Sequence, residues 1–201
     1  MTSTAPEPDD RRETRTRLLE SAAGLFSRQG YGGTGIKTVL ADAQAPYGSL
    51  YHFFPGGKEE LGAAALKYGA DKHREDIERF HPPGSDAVEA TRISFEHTAE
   101  IMTTSDYTHA CPVATVALET SSTHERLREA AATAFASWID VLQTRYAEAG
   151  MSDEVAHEVA IQCFCLMEGA LLLARTSKSV EPLHVAGRAA VGLITDALAD
   201  S

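Results

Sequence analysis

Between Val159 and Ala174 only two side chains, Gln162 and Glu168, are clearly polar. A helix that is apolar all round has to be covered all round. The stretch is too short and too interrupted for a membrane span, which needs ~20 apolar residues. Neighbouring helices must therefore enclose it, and a small domain can rarely do so alone. The helix after it, opened by Pro182 and ending near Asp200, adds Val185, Ala189, Leu193, Ile194 and Leu198, with Gly187 and Gly192 between them. These two helices are the candidate subunit interface of a homodimer, with Leu166, Leu173, Ala189, Leu193 and Ile194 as its residues. A purely internal core helix is the alternative that the pattern leaves open.

Nothing in the chain reads as a strand. Period-2 alternation never runs beyond a few residues, and neither Asn-Gly nor Asp-Gly occurs. The punctuation instead divides it into about nine helices, an all-α chain. The first spans about Asp10 to Gln29, with Leu18, Leu19, Ala22, Leu25 and Phe26 on one face and Gly30 as its stop. Thr34 offers a hydroxyl cap for a second, Ile36 to Ala43, and Pro46 suits the first turn of a third that ends near Phe53. A fourth runs from Lys58 to Phe80 and stops at Pro82-Pro83. Asp86 with Glu89 caps the fifth, which carries Val88, Phe95, Ala99 and Met102. A short sixth follows Cys111-Pro112. Ser122 with Glu125 caps a seventh whose stripe is Leu127, Ala131, Ala134, Trp138, Val141 and Arg145. The eighth starts at about Asp153. Residues 1–9 are expected to be a disordered terminus, 10–57 a three-helix head and 58–201 a helical body for ligand binding and dimerisation.

The net charge of −11 is unevenly spread. Residues 11–58 hold seven basic and three acidic groups, whereas residues 59–201 hold eleven and twenty-three. A basic head on an acidic body steers one end toward phosphate. Cys111, Cys163 and Cys165 are odd in number and lack a C-x-x-C spacing, which points to neither a disulfide framework nor a metal site. A reducing cytoplasm, no membrane and no cofactor are the expectations.

Two short helices across a tight turn make a helix-turn-helix, whose second helix enters the major groove. Here that helix is Pro46-Tyr47-Gly48-Ser49-Leu50-Tyr51-His52-Phe53. Leu50, Phe53 and Phe54 can pack inward, leaving Tyr47, Gly48, Ser49, Tyr51 and His52 outside. Small residues keep this surface thin, and hydroxyls reach phosphates and base edges. Lys58 adds charge to helix-start amides that already suit an anion. Thr34, Lys37, Ala45 and Pro46 complete the candidate DNA-contacting set.

At these residues the chain resembles the TetR family of transcriptional regulators. Phe26 with Gly30-Tyr31, then Gly48, Leu50-Tyr51, Phe54 and Lys58-Glu59-Leu61, occupy the positions of that family's pattern. The resemblance covers about a quarter of the chain. It implies a dimeric repressor that holds a palindromic operator and is released by a small-molecule inducer, with its last two helices pairing across the twofold axis. Pro55-Gly56-Gly57 lengthens the usual spacing before Lys58, as in a subgroup that includes multidrug- and flavonoid-responsive repressors. Ala45-Pro46 stands where a hydroxyl residue is common, so one phosphate contact is missing.

An apolar or aromatic inducer is expected between the fifth, seventh and eighth helices, near Phe95, Met102, Trp138, Phe164, Met167 and Glu168. Such pockets are mostly apolar with a few orienting polar groups, although the same residues would also serve as plain core. Two other readings compete. An enzyme lacks support from any catalytic or nucleotide motif. A helical protein-binding adaptor would leave the basic head and hydroxylated helix without a reason.

Overall fold

The computed structural model describes residues 8–108 and 110–200, with side chains described from residue 12. Residues 1–7 of the expected disordered terminus lie outside that set; Pro8 and Asp9 already belong to the first helix. The described residues form α1 (Pro8–Gln29), α2 (Ile36–Asp42), α3 (Tyr47–Phe53), α4 (Gly57–Phe80), α5 (Ala87–Thr104), α6 (Pro112–Thr120), α7 (Glu125–Glu148), α8 (Asp153–Ser177) and α9 (Glu181–Ala199), and no strand.

The ends of these helices follow from local chemistry. Gly30, at φ +77°, closes α1, its amide donating to the Phe26 carbonyl over 3.0 Å. Gln44 does the same for α2 at φ +50°, while the Ala45 amide reaches back to the Leu40 carbonyl over 2.9 Å. That left-handed residue turns the chain sharply into α3. Asp86 caps α5 by accepting from the amides of Val88 and Glu89.

Two expected caps are not made. Gly35, not Thr34, occupies the cap position of α2. Thr34 is fully buried, and its hydroxyl donates to the Gly30 carbonyl over 2.7 Å. The cap position of α7 is His124, without a side-chain bond, because residues after Thr120 keep turning: the amides of Thr123 and His124 both return to the Thr120 carbonyl. Ser122 is therefore too early to cap.

One continuous core joins the head to the body. Leu18, Ala22, Phe26, Leu50 and Phe54 of the head pack with Leu61 and Leu66 of α4, Val113 and Val116 of α6, and Leu127 and Trp138 of α7. A second core lies at the far end, where α9 packs on both α5 and α8. The inward stripe of α7 passes from Trp138 to Leu142 and Tyr146 rather than Val141 and Arg145. Arg145 instead lies at the edge, its Nε donating to the His81 carbonyl over 2.9 Å.

The apolar stretch of α8 is covered on only some of its faces. Ala156, Ala160, Cys163, Ala170 and Ala174 are buried against α7 and α9, whereas Leu172 and Leu173 stand 56% and 58% exposed. By length and composition alone this helix would reach across a membrane. The neighbouring Val185 of α9 is 51% exposed and Ala189 is exposed as well. Leu166 and Leu193 are half-buried, while Ile194 is fully enclosed in the protomer's own core. The expected interface role of Ile194 is corrected by this burial: the residue belongs to the second core and presents no surface to a partner.

Candidate functional site

The head presents α3 on its surface. Leu50 is fully buried and Phe53 half-buried, so these residues anchor the helix. Tyr47 and Tyr51 are 62% and 50% exposed, one turn apart, with ring centroids separated by 6.4 Å. Gly48 lies between them with no atom within 4 Å of where a Cβ would stand. Pro46 and His52 are exposed as well, His52 stacking edge-on to Phe53, whereas Ala45 and Ser49 are half-buried. This surface offers hydroxyls and a ring nitrogen at low relief, which suits phosphate and base-edge contact. Lys37 of α2 is exposed on the same head.

Two expected contacts are placed differently. Thr34 is enclosed, so its hydroxyl is committed to the turn after α1 and does not face a phosphate. Lys58 is half-buried, with Nζ 4.2 Å from the centre of the Tyr31 ring. Burial pushes its ammonium below the usual lysine range, against the opposing pull of Glu119. The charge is thus held against the junction of head and body.

That junction is the feature that sequence reasoning missed. The Glu119 carboxylate of α6 accepts from the Gly32 amide over 2.7 Å. Ser27 donates to the Ala110 carbonyl over 2.6 Å, and the Arg175 guanidinium of α8 donates to the Arg28 carbonyl at the end of α1. Trp138 donates from Nε1 to the Ala70 carbonyl of α4 over 2.9 Å. None of these partners lies near the other in sequence, and an exposed Glu119 gives no local signal.

Within the body a cavity of about 330 Å³ opens between α4, α5, α7 and α8, with Cys111 and Pro112 at one end. Phe95, Phe164, Met167 and Glu168 line it, and α4 contributes a wall through Lys72, His73, Ile77 and Phe80. Met102 and Trp138 do not. Met102 is fully buried in the second core, and Trp138 lies behind Phe164, with ring centroids 5.7 Å apart. Burial raises the Glu168 carboxyl, while a hydrogen bond from the Cys111 thiol lowers it. Burial and that same carboxylate push the Cys111 thiol up. Deeper in the wall, Thr91 bridges Tyr146 and His81 at 3.2 and 3.4 Å. Among the described residues no group of three His, Cys, Asp or Glu is arranged to hold a metal.

Residues 18–65 match the family described as "Bacterial regulatory proteins, tetR family", and residues 87–189 match "Transcriptional regulator LmrA/YxaF-like, C-terminal domain". The chain is 34% identical to the HTH-type transcriptional regulator YxaF of Bacillus subtilis, over 86% of its own length and 91% of the relative's. It is 32% identical to the HTH-type transcriptional regulator LmrA of the same organism, over 85% and 91%. Among solved structures, a TetR transcriptional regulator from Chloroflexus aurantiacus shares 28% identity and superposes with a TM-score of 0.75, covering 93% of this chain and 96% of that one. Reduced NemR of Escherichia coli, at 23% identity, shares the fold with a TM-score of 0.76 over 88% and 94%. With a buried-anchor, exposed-hydroxyl α3 at one end and an LmrA/YxaF-like helical body at the other, the chain belongs to the TetR family of helix-turn-helix transcriptional regulators.

Proposed function

We propose that this regulator is a cytoplasmic homodimeric repressor that grips a palindromic operator and lets go when a small apolar or aromatic molecule fills the cavity. The observation that carries the first half is the surface of α3, where Tyr47 and Tyr51 are exposed around a glycine. Pro46 to Ser49, Tyr51 and His52 meet the major groove, with Lys37 and Ala45 beside them. Lys58 tunes the junction and reaches phosphate only by leaving Tyr31. Residues 10–57 act as the reading head and 58–201 as the responding body. The exposed Leu172, Leu173, Val185 and Ala189 favour pairing through α8 and α9. An unpaired apolar patch of this kind is a liability in a soluble monomer. A twofold dimer then sets two recognition helices about one helical turn apart.

Release requires the ligand to prefer a conformer with wrongly spaced heads. The junction through Glu119, Ser27 and Arg175 is short enough to carry that preference from cavity to head. A coupling of ~1–3 kcal/mol lowers operator affinity about 5–150-fold. Gel-shift titration of DNA upstream of the gene, with and without lipophilic aromatic compounds, tests both halves. Specific retardation lost on adding a compound is the expected result; absence of any specific complex refutes the repressor reading.

A further inference from the structure

We propose that Glu168 makes the cavity selective for ligands that carry a cation on an aromatic or apolar body. The inference rests on the reading of this cavity as the inducer site and goes further by assigning the charge of the ligand. Three lining residues are of the acidic or strongly basic types: Lys72, Asp76 and Glu168. Lys72 is turned along α4 toward Glu75, with Nζ 3.6 Å from its carboxylate. Asp76 is paired with Arg79 at 2.9 Å. Glu168 forms no ion pair among the described residues; its described partner is the Cys111 thiol, a neutral donor.

The other titratable groups lining the cavity are His73, His81, His97, Cys111, Cys163 and Tyr146. His81 is held neutral by burial, with the nearby Arg145 acting in the same direction. His73 lies against the Trp138 ring and His97 against Phe80, with centroids at 4.6 and 4.8 Å. Cys111, Cys163 and Tyr146 are all pushed up by burial and stay protonated. A carboxyl enclosed in this way has two economical states: neutral when the cavity is empty, or ionised when a cation arrives with the ligand. The walls suit the second, because Phe80, Phe95 and Phe164 line the same space and aromatic rings attract cations. The acidic body also raises the local concentration of cations around it.

The test compares two probes of one shape that differ in charge: (2-naphthylmethyl)trimethylammonium and its carbon isostere, 2-neopentylnaphthalene. Each is titrated calorimetrically into the full-length wild-type protein and into Glu168→Gln, whose fold is checked by circular dichroism and operator binding. Wild type is expected to bind the cation at least about tenfold tighter than the isostere. Glu168→Gln is expected to erase that ratio by weakening the cation alone, leaving the isostere within about twofold. An unchanged ratio in Glu168→Gln, or tighter binding of the isostere by wild type, overturns the charge assignment while leaving the cavity reading standing. Failure of both probes to bind wild type overturns the cavity reading and this proposal with it. Should Glu168→Gln not fold, Glu168→Asp replaces it and must keep the preference for the cation.

Discussion

Replacing Gly30 with alanine tests the link between the head and the body at a single atom. Gly30 sits at φ +77°, where an L side chain costs ~1–2 kcal/mol. A Cβ there would also stand 1.8 Å from Oε1 of Glu119 and 2.8 Å from its Cδ. The glutamate is the flexible end of an exposed side chain, so it swings away rather than forcing the backbone. In doing so it gives up its bond to the Gly32 amide, a loss of about 1 kcal/mol at an exposed site. The total is ~2–3 kcal/mol, or about 4–12 °C in Tm for a chain of this size. Thermal and urea unfolding followed by circular dichroism, at one fixed protein concentration because association shifts apparent stability, measure it. The cycle with Glu119→Ala separates the two causes. In the Glu119→Ala background Gly30→Ala should cost only the backbone part, ~1–2 kcal/mol, leaving about 1 kcal/mol of coupling. Equal cost in both backgrounds would refute the contact, and no cost in either would refute the left-handed turn.

Gln44→Gly relieves the φ +50° conformation at the end of α2 and should stabilise the protein by about 0.5–1 kcal/mol, read in the same unfolding assay. Burial holds His81 below the ordinary histidine value near ~6.5. The unfolded chain therefore binds the proton more readily, so stability is intact above that value and is lost as pH falls through it. His81→Gln should flatten the decline between about pH 7 and pH 5; identical pH profiles for variant and wild type would contradict the assignment. Leu173→Asp places a charge on the exposed face of α8 and should weaken dimerisation at least about 100-fold, since a buried unpaired charge costs ~3–5 kcal/mol. Sedimentation velocity at micromolar concentration reads this directly, and an unaltered dimer would show that the face lies elsewhere.

The head was legible because its signals are local. Gly30 had to accept a left-handed conformation, and Leu50 with Phe54 had to anchor a helix otherwise made of small and hydroxylated residues; both are seen. The body was legible as helices but not as faces. Along α7 a register that swaps Leu142 and Tyr146 for Val141 and Arg145 looks equally plausible on spacing, and only the neighbours in space decide it. On α9 the apolar Val185 and Ile194 look alike in sequence, yet one is half exposed and the other enclosed. Trp138 invites a ligand role by its size, but its indole N–H is taken by the Ala70 carbonyl and its ring stands behind Phe164. The lining of the cavity that holds Glu168 is drawn from α4, α5, α7 and α8 with Cys111 and Pro112, so no window of sequence contains it. Glu119 was invisible for the same reason: its partner is 87 residues away.

Hydroxyl-radical footprinting of the wild-type protein on DNA upstream of its gene tests the central claim most directly. Two exposed α3 surfaces joined through α8 and α9 should protect two patches on one face of the duplex, with half-site centres ~34–36 Å or slightly further apart and symmetric in sequence. Tyr47→Ala should blur both patches together, and Leu173→Asp should remove both. A single patch without symmetry, patches that survive both substitutions, or no sequence-specific protection at low salt would contradict the account.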